Sequence, residues 1–600
     1  MRGRRAWLAG CLACVLPAVQ AVELVSVDDR LPAAQRSRAA AALQQAAARL
    51  PAGLRAALPP QVPVHWADSL PDGVVGRARG GQLWLRRSLL AGTDAAAAST
   101  LQAVMIHELM HVADRGAAGG WSRQARFREL AGWPARPWAL GRSPNRFSDR
   151  SPDGYERASA AEYLAVNAEH WLLDAGFACR RPALAAWLRD TFGDAPRPAP
   201  PCPRTMPLLQ AGDAPGAVSL LALDPARVYA VDYLLADGGE AATSRWGHSM
   251  LRLVICRAGR PRGPACRLDL DQHRVLSFRA FVGDVELSSW RGLAGGYPSR
   301  LFVLPLQQVV EEYTQVELRG LASIPLRLSR PAIEGLLERT AQVHWSYDGR
   351  YYFIASNCAV ETARLLQAGV PALGEAGIAR LSPGGLRRRL GRLGVLDESV
   401  LDDAGAAIRA GFYFEASDRH YATLFAAART ELPLPADDVR TWLALPAAER
   451  APWLQRGGLR ATAGLLLLEQ AALRRAELRA RGWLKQQLAR QPDSAGARAL
   501  QGLLAEAGQW LRPGALLSAD VDGYGLPQPD ELQRLQPWLQ AVSTRSPQAW
   551  RDLRARLQEA LPATQRRELD QAQRNLDATG ARLRGLAAAS LPPRSDVPRR

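Results

Sequence analysis

His107, Glu108 and His111 stand in "VMIHELMHVADRG" (residues 104–116) as two imidazoles four apart, with a carboxylate directly after the first. Residues four apart share one face of a helix. Both rings can therefore reach a single ion, and Glu108 can act as base on an ion-bound water. Periodicity predicts a helix over about 100–115, with Leu101, Val104, Met105 and Val112 on its buried side. Ser99 and Gln102 form the expected capping box. A catalytic zinc ion needs a third protein ligand. A second helix is expected over 160–174, in "SAAEYLAVNAEHWLLD", and it carries Glu162 and Glu169 two turns apart on one face. Glu162 also stands three residues after Ser159, so capping its own helix is the alternative role.

A thiol is the other chemical resource. The start "MRGRRAWLAGCLACVLPAVQA" has arginines, an apolar run and a small residue at Ala21, the pattern of a secretory signal peptide over 1–21. Cleavage there removes Cys11 and Cys14 from the seven cysteines. In an oxidising compartment, Cys179 with Cys202 and Cys256 with Cys266 are expected as local disulfides, which leaves Cys358 over. Cys358 opens a helix over 358–368 in "YYFIASNCAVETARLL", capped by Ser356 or Asn357, where the helix N-terminus favours thiolate. His248 begins a strand in "SRWGHSMLRLVIC". Alternation puts His248, Met250, Arg252 and Val254 on one face, and Ser249, Leu251, Leu253 and Ile255 on the other. A histidine near Cys358 would complete an ion pair and yield a nucleophile.

Both constellations resemble known families. H-E-x-x-H followed by "EYLAVN" is similar to the gluzincins, and that resemblance implies zinc held by His107, His111 and Glu162, with Glu108 as base and Glu169 in reserve. G-H-S-x-L-R at 247–252 and N-C-A at 357–359 resemble the periplasmic domain of Lnb-type lipoprotein N-acylation (transacylase) proteins, a group similar to permuted papain-like thiol enzymes. This second resemblance covers about 225–420. It implies acyl transfer or hydrolysis through a thioester, with Cys358 as nucleophile and His248 as general base. A third polar residue would orient His248. His273, Asp269 and Asp271 are the candidates, which spacing does not separate. Tyr351 or Asn357 would help polarise the oxyanion beside the Cys358 amide.

The elements around these residues predict an α+β multidomain chain. A zincin-like domain is expected over 22–205, a permuted papain-like (NlpC-type) domain over 206–424, a helical region over 425–590 and a frayed tail over 591–600. Residues 22–58 read as helix, 61–90 as one or two strands, and "DAPRPAPPCPR" (194–204) as a linker. "YGLPQPDEL" (524–532) reads as a loop without evident purpose. The net charge of +18 is almost all arginine, with Lys485 the one lysine, and is spread along the chain. That spread excludes a nucleic-acid patch and leaves an anionic membrane surface as a possible partner. No stretch after the leader is long and apolar enough for a membrane span. The expected protein is periplasmic, and its substrate is a lipoprotein, a lipid or a peptidoglycan peptide. The alternatives are a zinc metallopeptidase whose second domain binds substrate, and a non-catalytic envelope scaffold.

Overall fold

The computed structural model describes residues 22–590, except 29, 118–119, 134–144, 199, 212–216, 239–246, 281–296, 353–356, 492 and 518–522. The expected signal peptide, the tail over 591–600 and Ser356 lie outside the described residues. The chain folds as two compact units, Met1–Pro144 with Asp153–Cys202, and Asn145–Pro152 with Pro203–Arg600. The architecture is α+β, and its C-terminal region is mostly helical.

In the first unit, strands β1 (Glu23–Ser26), β2 (Gln61–Ala67), β3 (Gly76–Arg79) and β4 (Gln82–Arg86) form a sheet in the order β1-β2-β4-β3. β1, β2 and β4 run parallel, whereas β3 is an antiparallel edge. Residues 22–58 are thus not all helix. "ELVS" enters the sheet as β1, and helices occupy Ala33–Arg49 and Ala52–Ala56. The helix carrying the histidines spans Ala95–Gly116, longer than periodicity suggested. Its cap is Asp94, which accepts from the Ala97 amide, while Gln102 is buried and donates to the Ala42 carbonyl. The helix Ala160–Leu173 packs beside it, capped by Ser159, and buries Leu164, Ala168, Trp171 and Leu172 as expected. On its far side, Arg181 grips Glu156, Asn167 and Tyr163 in a buried network that fixes its rotation. Cys179 and Cys202 are disulfide-bonded.

The second unit is built on β7 (Val228–Ala236), β8 (His248–Ile255), β9 (Arg274–Ala280), β10 (Tyr297–Pro305), β11 (Leu321–Pro325), β12 (Gly349–Tyr351) and β13 (Tyr413–Phe414). They form one antiparallel sheet in the order β12-β10-β9-β8-β7-β11-β13, beside a hairpin of β5 (Met206–Ala211) and β6 (Val218–Leu223). The alternation expected for β8 holds. Leu251, Leu253 and Ile255 enter the larger core with the helices Arg330–Ser346 and Cys358–Gly369, whereas Met250 enters a separate cluster with Val309 and Tyr313. Cys256 and Cys266 are disulfide-bonded, and Cys358 is free and buried. Long helices at Leu459–Arg490, Pro529–Glu559 and Ala563–Ser590 follow. Among the described residues, no helix is long and apolar enough to cross a membrane.

Candidate metal and thiol sites

The two helices of the first unit bring His107, His111 and Glu162 together, with ligand atoms within 4.8 Å of one another. Glu162 Oε2 lies 3.1 Å from His107 Nε2 and 3.0 Å from His111 Nε2, so one carboxylate oxygen and two imidazole nitrogens converge. Ser159 does the capping, which leaves the Glu162 side chain for the cluster. Glu169 turns instead to the other nitrogen of His107, Nδ1, at 2.5 Å. A carboxylate on the far nitrogen fixes the tautomer and presents Nε2 to a metal, the usual outer partner of a ligating histidine. Burial opposes charge on His107, but Glu162 and Glu169 outweigh it and raise the imidazole to about 10. Burial likewise works to raise Glu162, yet the two histidines hold it down at about 2. Two nitrogens and a carboxylate oxygen match the donor set of a catalytic zinc site with a position left for water. The residues fit that ion.

Glu108 is buried against β3, where its carboxyl meets the Ala78 amide. Burial raises it above the usual carboxylate range, against the pull of the two histidines. Tyr155, which sequence reasoning did not single out, stands exposed at the rim with its ring 6.1 Å from that of His107 and its hydroxyl bonded to Glu162. It stands on a separate short turn, Gly154–Arg157, before the cap Ser159, so no helical spacing linked it to Glu162.

At one end of the larger sheet, the G-H-S and N-C-A motifs come together. Asn357 caps the thiol helix, accepting from the Ala359 and Val360 amides, and puts Cys358 in the first turn. The Cys358 amide donates to the Tyr351 hydroxyl at 3.3 Å. Polar groups of Ser249 also flank the sulfur. Burial pushes the thiol up, while Ser249, Tyr351 and the Ala359 amide draw it back. Gly247 precedes His248 at φ 80°, and a side chain there would meet the Ala236 carbonyl at 2.5 Å, which explains the glycine in the motif.

His248 itself faces the opposite side of the sheet from Ser249. Its Nε2 lies 3.0 Å from the Ser277 hydroxyl on β9, and its ring stacks on Tyr313 with centroids 6.1 Å apart. Ser277 also accepts from Arg279, which pairs with Glu312. Burial, with Arg279 and Arg319 nearby, lowers His248 to about 3, so the ring is neutral. Among the described residues, no hydrogen bond joins His248 to Cys358. The expected thiolate–imidazolium pair is therefore not formed in this conformation. The expected orienting residue also differs. His273 is buried and occupied at both nitrogens, by the Arg252 guanidinium at 2.9 Å and the Cys266 carbonyl at 2.9 Å. Asp269 pairs with Arg260 and Asp271 with Arg257. Ser277, the residue actually at His248, was visible only as a lone hydroxyl in an apolar strand.

Residues 218–390 match the Lnb N-terminal periplasmic domain family. The second unit carries an Lnb-type domain. The matched span of this Lnb-type domain includes both His248 and Cys358. Residues 23–124 and 119–200, which hold the metal cluster, match a domain of unknown function, DUF7844. No curated protein and no solved structure matches the chain.

Proposed function

We propose that the chain is an exported cell-envelope enzyme whose Lnb-type domain transfers or hydrolyses an acyl group through Cys358. The observation that carries this reading is the free thiol in the first turn of a helix, beside Ser249 of the G-H-S motif, within the matched domain. Cys358 Sγ attacks an acyl carbonyl and expels the amine or alcohol as a thioester forms. Water or an acceptor amine then releases the acyl group. His248 is neutral, so it acts as general base during attack rather than as half of a standing ion pair. In this conformation Ser277 holds the Nε2 of His248 on the face of β8 opposite Ser249, so the start of β8 must rearrange before His248 takes the thiol proton. The Cys358 amide is taken up by the Tyr351 oxygen, so the Tyr351 O–H is the donor left to meet developing negative charge. We read this domain as a permuted papain-like thiol fold because the helix opened by Cys358 packs on the antiparallel sheet, and its substrate as a lipoprotein, a lipid or a peptidoglycan peptide. Cys358→Ala is expected to abolish labelling by an activity-based thiol probe, and labelling that survives sinks the reading.

A second reading concerns the metal cluster. A bound zinc ion supplies Lewis acidity and an acidified water. Glu108, directly after the ligand His107 and buried beside the cluster, is placed to take a proton. Together these support a metallopeptidase or metal-dependent hydrolase. Purified protein is expected to hold about one zinc per chain, as a mononuclear site does. Metal-free protein that does not take up zinc counts against this reading.

A further inference from the structure

Residues Asn145–Pro152 interrupt the sequence of the first unit yet belong to the second. Within the second unit, this strap runs along the chain segment that leads into β12. The Asp149 amide donates to the Ser346 carbonyl, Phe147 bridges Tyr347, and the Asp348 amide donates to the Arg146 carbonyl at 2.8 Å. Tyr351, which accepts from the Cys358 amide, follows on the same strand. Arg146 reaches the thiol helix directly. Its guanidinium meets both oxygens of Glu361 at 2.9 and 3.0 Å, and both side chains are buried. Glu361 lies three residues after Cys358, and Arg364 braces it from the next turn at 2.7 Å.

The other end of the strap is anchored as firmly. Arg512 forks onto Asp149 at 2.6 and 2.7 Å. Arg150 is buried and donates to Glu531 at 2.6 Å and to the Gly525 carbonyl at 3.1 Å, while the Gly525 amide returns to the Arg150 carbonyl. The stretch "YGLPQPDEL" thereby gains a purpose as the strap's receptor. Gly514 packs so tightly that a Cβ would meet Asp149 at 2.6 Å.

We propose that Arg146 is a positioning residue of the thiol site, held on this strap so that its pairing with Glu361 fixes and neutralises the turn bearing Cys358. The proposal rests on Cys358 being the reactive thiol. Without Arg146, Glu361 keeps Arg364 and stays ionised, but its charge is less offset and disfavours a thiolate one turn away. Removal of Arg146 should thus slow thiolate formation through Glu361 and not through general loosening.

The test is the pH profile of Cys358 alkylation by iodoacetamide in the full chain, read for wild type, Arg146→Lys, Arg146→Met and the double variant Arg146→Met/Glu361→Gln. Arg146→Met is expected to alkylate several-fold more slowly near neutrality, with its inflection moved to higher pH. Arg146→Lys should restore much of the wild-type profile. The double variant removes both charges together and should return the inflection close to that of wild type. An unmoved inflection in a folded Arg146→Met variant overturns the proposal. If Arg146→Met does not fold, Glu361→Gln decides: an inflection moved to lower pH supports the proposal, and an unmoved one overturns it. Persistent probe labelling in Cys358→Ala would instead fail the underlying reading, so the two failures are distinguishable.

Discussion

At the scale of single residues, the division of labour between Glu162 and Glu169 yields a graded prediction. Glu162 offers its oxygen to both histidines, whereas Glu169 only orients His107. Glu169→Gln should weaken zinc binding about 10- to 100-fold, the usual cost of losing an outer partner. Glu162→Gln should weaken it further, and both losses are measurable by competition with a chromogenic chelator. Without metal, His107 is raised to about 10 and is protonated at neutral pH. Zinc uptake must displace that proton, so calorimetry in buffers of different ionisation heat should register proton release, with affinity falling as pH falls. The two histidines were legible in the sequence because helical spacing sets their common face, whereas the choice of Glu162 came from the resemblance to the gluzincins. Glu169 was equally visible, but spacing could not tell an ion's ligand from that ligand's partner. His248 and Ser277 show the opposite limit. Alternation correctly separated the two faces of β8, yet only the sheet order reveals which residue of β9 stands beside the ring.

At the scale of elements, several buried imidazoles make the second unit acid-sensitive. The Leu209 amide donates to His344, Arg252 donates to His273, and both acceptors require a neutral ring. Burial lowers His344 to about 3 and His273 to about 4, from an ordinary value of 6.5. Below pH 6.5 the unfolded chain therefore binds protons that the folded chain refuses. Stability is full above that value and falls as pH drops toward 3–4, by at most about 1.4 kcal/mol per pH unit for each ring. Denaturant midpoints measured between pH 7 and pH 4 check the slope. In the helical region, Arg450 and Glu469 pair without solvent contact, and Asn575 of the last long helix donates to the same carboxylate. Glu469→Leu leaves Arg450 unpaired and is expected to cost about 3–5 kcal/mol, whereas Arg450→Met/Glu469→Leu should cost much less. Chemical denaturation distinguishes the two. The helices themselves were plain in the sequence from their Ala, Leu and Arg periodicity. The strand β1 was not, since four residues beside a long helical pattern form a strand only when a sheet edge receives them.

At the scale of the whole molecule, the segment Asn145–Pro152 could not be read from local pattern at all, because its value lies in partners more than two hundred residues away, such as Glu361, Arg512 and Glu531. A chain begun at Pro203 lacks it. That truncation is expected to melt at lower temperature than the full protein, with recovery when a peptide spanning the strap is supplied in excess. Calorimetry with and without the peptide reads the effect. The consequence reaches beyond stability. The strap is encoded within the span that matches DUF7844, but it completes the fold of the part that carries the Lnb-type domain. The two units are thus not interchangeable cassettes. A genetic exchange at the seam after Cys202 would part Asn145–Pro152 from the partners on which it packs.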